Sequence, residues 1–363
     1  MERVGRLLTI SFIVMLFAGC GSGGESSGNS DAGADSSLTW LIPEGEVYDG
    51  GPGKDGIPSI DAPRFVTADS EEAMSLPNNA FVVGIAIGET AKAYPHAILN
   101  WHEIVNDFTS EVPVTLSYCP LTGSAIAWKR PATGEAAQFG VSGLLYNSNL
   151  ILYDRASDSN WSQMQQKSVY GSRAGESLEQ DQVRIVETTW SQWREWYPDS
   201  MLLSFATGYS RNYASYPYGD YLFTTSLLFP ANNSDDTRMH PKSRALGVII
   251  DNAAKVYPIS SFSDDFQVIN DVVQDRAVLV IGSSGSGFGL ALDRRFNGED
   301  LVFSEVFDAT DFHIQDQYGR IWTIMGEGVS EDVQGEMLGS VNHFIAFWFA
   351  WAAFYPGLDI YRF

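Results

Sequence analysis

Cys119, His102 and His96 are the residues of this chain whose types best suit chemistry. A thiol near imidazoles can work in two ways. The imidazole of His102 can draw off the thiol proton and leave a thiolate nucleophile at Cys119. Glu103 or Asp107 would then orient that imidazole, as the third member of a catalytic triad does. Alternatively, Cys119, His102 and His96 can hold a soft or borderline metal, a copper or zinc ion, with Met164 and Asp154 as further donors. No HExxH, paired CxxC or Cys-His signature chooses between these readings. Each residue also has a plainer role: Cys119 as a small buried hydrophobe, His102 as a hydrogen-bonded histidine beside the core, His96 as an exposed residue at a turn.

A second group of polar residues lies in "FGVSGLLYNSNLILYDR", Phe139 to Arg155. Its alternation reads as a strand entering the core. Asn147, Asn149, Asp154 and Arg155 are polar groups in an apolar frame, the composition of a ligand-lining segment. A turn with asparagine at its favoured positions is the alternative. Ser162 and Gln163, in "NWSQ", could face the same site, whereas Trp161 beside them reads as core.

The elements that must position these residues emerge from an internal repeat. "VGIAIGETAKAYP" from Val83 answers "LGVIIDNAAKVYP" from Leu246, with Lys92 and Lys255 163 positions apart. Each block reads as a strand, a turn and a second strand ending at Tyr-Pro. "IVNDF" at Ile104 answers "VINDVV" at Val268, and Arg130 matches Arg294. Trp190, Trp193 and Trp196 match Trp348, Trp351 and Phe354. Aromatics three apart lie along one helix face, and Pro198 and Pro356 stop each helix. The fold expected is therefore α+β and strand-rich. Two homologous halves stand in a pseudo-twofold arrangement, each with β-hairpins and one aromatic-rich C-terminal helix.

Features shared by the halves serve the fold, and features in one half are candidates for function. Val114–Tyr118 and Ser124–Lys129 read as strands around a turn, which puts Cys119 at a hairpin tip. Its counterpart is Ser283. "AYPHAILNWHEIVND" carries His96 and His102, while "VYPISSFSDDFQVIND" carries no histidine. The Phe139–Arg155 segment also has no close copy in the second half. Read as a strand, "NWHEIVND" places His102, Ile104 and Asn106 on one side. "GSSGSGFG" lacks the Lys-Ser or Lys-Thr of a phosphate loop and reads as a hairpin tip. His240, His313 and His343 read as structural or surface residues.

The front end sets the compartment. Arg3 and Arg6 precede a short apolar run, Leu7 to Ala18, which ends in Leu16-Phe17-Ala18-Gly19-Cys20. This resembles a bacterial lipobox, with Phe17 where that pattern prefers leucine, and it makes Cys20 the lipidation site. Gly21 is not the aspartate of an inner-membrane retention signal, which favours the outer membrane if the source is Gram-negative. The Gly-, Ser- and acid-rich stretch that follows reads as a tether. With Cys20 acylated, Cys119 has no partner for an internal disulfide. The formal charge of −23 repels phosphate backbones and argues against nucleic acid as a partner. The expected organisation is a signal peptide over 1–19, a tether over 20–38, a first half with the site over 39–210, a connector over 211–243 and a degenerate second half over 244–363.

"AYPHAILNWHEIVND", "YCPLTGSAIAW", "FGVSGLLYNSNLILYDR", "NWSQ" and "FWFAWAAFYP" resemble the domain of unknown function 3179 family, over nearly all of the chain after the tether. The resemblance implies an exported or membrane-anchored protein and no established activity. Some members of the family carry a second cysteine where this chain has Thr122, so a dithiol cycle is not implied here. The sequence points to a lipid-anchored envelope protein facing the periplasm or cell exterior, held to the membrane by its N-terminal lipid. It would bind a small ligand or metal at Cys119, His102 and His96. A thiol-dependent hydrolase or transferase and a purely structural protein are the alternatives.

Overall fold

A computed structural model describes residues 39–130, 138–307 and 312–363. The signal peptide, Cys20 and the tether lie outside the described residues. The described residues belong to one compact unit, rich in strands with few and short helices. None of those helices is long and apolar enough to cross a membrane.

The repeat motifs become hairpins. Phe81–Ile87 pairs antiparallel with Thr90–Pro95, and Arg244–Ile250 pairs in the same way with Ala253–Pro258. The turns are Gly88-Glu89, with Gly88 at φ 57°, and Asp251-Asn252, both at positive φ. These are the residue types that tolerate the left-handed conformation. Each hairpin gains an outer strand, Ile185–Thr189 in one sheet and Asn342–Phe347 in the other. A short aromatic helix follows each outer strand, Trp190–Trp196 and Trp348–Phe354. Gly84 and Gly247 supply the space over each sheet into which Trp193 and Trp351 pack; a Cβ at either would meet the indole at under 2.5 Å.

Side-chain motifs recur with the hairpins. Asp107 Oδ2 accepts from Lys92 Nζ at 2.8 Å and from the Tyr94 hydroxyl at 2.7 Å. Asp271 Oδ2 meets Lys255 at 2.6 Å and accepts from Tyr257 at 2.7 Å. Asn106 clamps both backbone groups of Phe139, and Asn270 clamps those of Phe303. The Trp161 indole donates to Asp154, and the Trp322 indole donates to Asp316. The last two motifs correct an expectation. The Phe139–Arg155 segment does have a counterpart, Phe303–Phe307 with Phe312–Asp316, but in a shorter form that keeps the anchoring Phe, Asp and Trp and little else.

The halves do not have separate interiors. Trp348 and Trp351 share a core with Trp128, Phe139, Trp161 and Cys119, while Trp190 and Trp193 share another with Leu279, Phe288 and Trp322. Each aromatic helix thus buries its stripe in a core that includes strands distant from it in the chain. Several large rings are fully buried there, each removing on the order of 150–250 Å² from water.

Candidate functional site

Cys119 ends the Val112–Cys119 strand, and Ser124–Lys129 returns from it, so the thiol lies at the hairpin tip. Gly123 makes the turn at φ 58°. A Cβ there would lie 2.6 Å from the Phe347 ring, so glycine is needed for both backbone and space. A buried amide network pins this tip. Asn149 Nδ2 donates to Thr122 Oγ1 at 2.9 Å and to Gln163 Oε1 at 2.7 Å. Ser124 also donates to Gln163 Oε1, and Gln163 Nε2 donates to Ser117. Asn149 and Gln163 are therefore engaged with each other and the hairpin, and they position Cys119 without facing a ligand. The Cys119 thiol is buried, with Sγ 3.8 Å from the Ser148 carbonyl. Burial first, and the nearby Glu103 charge second, push its pKa up to about 11.

The histidines lie elsewhere. "HAILNWH" forms a helix, His96–His102, and only Ile104–Thr109 is strand. This overturns the reading of His102 as a strand residue, because the helix buries Ile98, Leu99 and His102 on one face. His102 Nδ1 lies 2.8 Å from the Pro58 carbonyl and Nε2 lies 2.7 Å from the Tyr213 hydroxyl. Both ring nitrogens are occupied, so His102 is not the base for Cys119. Burial holds its pKa below the usual value. His96 packs at a tilt against Tyr118, ring centroids 4.7 Å apart, and meets Glu187 at 3.2 Å. Asp107 belongs to the Lys92–Tyr94 cluster and orients no imidazole. Among the described residues no three His, Cys, Asp or Glu are grouped to hold a metal ion. The expected copper or zinc set of Cys119, His102 and His96, with Met164 and Asp154 in support, does not converge. Met164 is fully buried in the core.

The other expected ligand residues serve turns and clamps. Asn147 adopts φ 51° and accepts from Asn232 N at 2.8 Å. Asp154 accepts from Ser157 and from the Trp161 indole. Arg155 bridges to Asp61 at 2.6 Å. Ser162 is buried with its hydroxyl unpartnered, away from any cavity wall described below.

An apolar cavity of about 310 Å³ opens beside Cys119, at the lower end of small-molecule pockets. Its walls include Cys119, Leu121, Val141, Leu145 and Leu150, with Ile57 and Phe229. Glu103 is the charged residue that sequence reasoning placed in the wrong role. It caps the His96–His102 helix at φ 57°, a left-handed conformation that costs a non-glycine residue about 1 kcal/mol or more. Its backbone is held on both sides: N donates to Leu99 O, and O accepts from Tyr118 N. The side chain is buried and lines the cavity. Oε1 accepts from the Tyr218 hydroxyl at 3.3 Å, and Oε2 has no partner among the described residues. Burial pushes this carboxyl up to about 8, so at neutral pH it is mostly a neutral group able to donate a hydrogen bond.

The segment expected to be a connector is the cover of this cavity. Tyr216 donates to Pro120 O, Tyr218 to Glu103 and Tyr221 to Leu121 O. Burial raises all three phenols above their ordinary range, so they stay neutral donors. Lys242 fastens the cover through the carbonyls of Tyr221, Thr224 and Ser226. Ser148 donates to Phe229 O at the other end. The spacing of the tyrosines in "SYPYGDY" was the available signal.

Fold and site together define a strand-rich protein with a covered apolar cavity bearing a thiol and a carboxyl. The model of the family described as "Protein of unknown function (DUF3179)" matches residues 54–358, and the chain belongs to that family. No curated protein and no solved structure matches it.

Proposed function

We propose that this protein binds a small, largely apolar molecule in the cavity beside Cys119. On this reading it is a lipoprotein, anchored to a bacterial membrane through acylated Cys20 and facing the periplasm or the cell exterior. The halves are copies in a pseudo-twofold arrangement, of which only the first carries the site. One observation carries the binding reading. The cavity is walled by what the second half lacks: the two-turn helix ending at Glu103, replaced there by the three-residue Ile259–Ser261 turn; the extended Phe139–Asp154 hairpin; Cys119; and the tyrosine cover. Apolar walls supply affinity, and the neutral Glu103 carboxyl donates to one acceptor on the ligand. A thiolate mechanism is disfavoured by a thiol held at about 11 with no imidazole beside it.

The test is titration of the full-length protein with the neutral fluorophore N-phenyl-1-naphthylamine. Leu144 and Ile57 line the cavity and are only partly buried. Leu144→Trp and Ile57→Trp fill it without disturbing the core. Saturable binding in the wild type and its loss in both filled variants, with circular dichroism unchanged, supports the reading. Equal binding in all three proteins refutes it.

A further inference from the structure

The cavity has a polar mouth, and the mouth carries charge. Arg211 lines it, is exposed, and lies over the Trp101 ring at 5.8 Å. Among the described residues Arg211 has no carboxylate partner. What sets Arg211 apart is its place: it is the cation of the cavity lining, in a chain with 45 acidic side chains against 22 Lys and Arg. Cations elsewhere in the first half of the chain and its surroundings are paired: Arg155 with Asp61, Arg244 with Glu187 and Lys92 with Asp107. Asn100 stands in the same wall, and its side-chain oxygen is buried without a donor. Further in, the wall is aliphatic until Cys119, Glu103 and Tyr218.

Resting on the binding reading above, we propose that the ligand is an amphipathic monocarboxylate: its carboxylate pairs with Arg211 at the mouth and its apolar chain lies along Val141, Leu145 and Leu150. A planar guanidinium braced on an indole matches a carboxylate with two parallel hydrogen bonds. The protein's net negative charge does not prevent this pairing, because charges beyond about 8 Å are screened at physiological ionic strength.

The experiment compares decanoate with decanol as competitors for bound N-phenyl-1-naphthylamine on the full-length protein, in wild type and Arg211→Gln. Arg211 is exposed and outside the core, so the variant is expected to fold, and an unchanged circular dichroism spectrum and urea midpoint verify this. The wild type should favour decanoate over decanol by roughly tenfold, the scale of one charge-assisted contact at a half-open site. Arg211→Gln should bring the two within about twofold, and raised salt should shrink the wild-type preference in the same direction. If the fluorophore binds but decanoate competes no better than decanol, or if the preference survives Arg211→Gln, the carboxylate assignment is wrong while the cavity reading stands. If the fluorophore itself does not bind, the cavity reading fails first.

Discussion

Replacing Glu103 by glutamine should abolish one specific part of the protein's pH dependence. The carboxyl ionises near 4.5 in the unfolded chain and at about 8 in the folded one. Between those values the folded state holds a proton that the unfolded state has released. Stability therefore falls as pH rises through that interval, by ~1.4 kcal/mol per pH unit at most. This sign is opposite to that of a salt-bridged carboxylate. Buried histidines act the other way and lower down: His343, pushed down to about 4 by burial, adds stability that is complete above about 6.5 and lost as pH falls towards 4. His102 is lowered for the same reason. The window from about pH 6.5 to 8 thus isolates Glu103, and the expected loss across it is roughly 2 kcal/mol. Urea unfolding followed by the fluorescence of the ten tryptophans measures this directly. Wild type should lose roughly 2 kcal/mol between those pH values and Glu103→Gln less than about 0.5. Parallel profiles for the two proteins would mean that Glu103 ionises normally, and the neutral-donor role would fall with it.

Asp107→Ala leaves Lys92 buried without its partner and should cost about 3–5 kcal/mol in urea unfolding; Asp271→Ala, whose Lys255 is only partly buried, should cost less, about 1–2 kcal/mol, and a loss below about 1 kcal/mol at Asp107 would contradict the scaffold role. Cys119 should react with iodoacetamide at pH 8 roughly a hundredfold more slowly than a free thiol, and at the ordinary rate in urea. A fast native reaction would refute the burial argument. Gly123→Ala should destabilise by about 2 kcal/mol or more through its left-handed φ and the Phe347 ring, whereas Gly51→Ala, at φ 100° but in open space, should cost less.

The scaffold was legible because the repeat writes it twice. "AKAYP" with "IVND" encodes the Lys92–Tyr94–Asp107 cluster, and "AKVYP" with "VIND" encodes its copy. The aromatic stripes of Trp190–Trp196 and Trp348–Phe354 encode two packed helices. The rule that unshared features mark function pointed to the hairpin tip at Cys119, and the cavity opens beside that tip. It failed at the histidines. Residue type suggested a Cys-His pair, but side-chain direction decides contact: the His96–His102 helix aims His102 at Pro58 and Tyr213 while its cap aims Glu103 at the cavity. A one-residue difference in position reverses the face, and the sequence alone did not fix whether "NWHEIVND" began as helix or strand. The amides of Asn149 and Gln163 were misread for a related reason. A buried polar residue must be satisfied, and only the fold shows that these two satisfy each other. The cover over residues 211–243 was missed because its tyrosines make contacts about a hundred residues back in the chain, and their spacing in "SYPYGDY" does not say which residues they meet.

A ligand in the cavity would occupy the space against Cys119. The most direct measurement of this is the rate of Cys119 alkylation by N-ethylmaleimide, at pH 9, across a titration of N-phenyl-1-naphthylamine. Occupancy should block the thiol, with the rate falling saturably towards zero over the same concentrations that raise the fluorescence. An alkylation rate indifferent to bound fluorophore would place the ligand elsewhere and contradict the site.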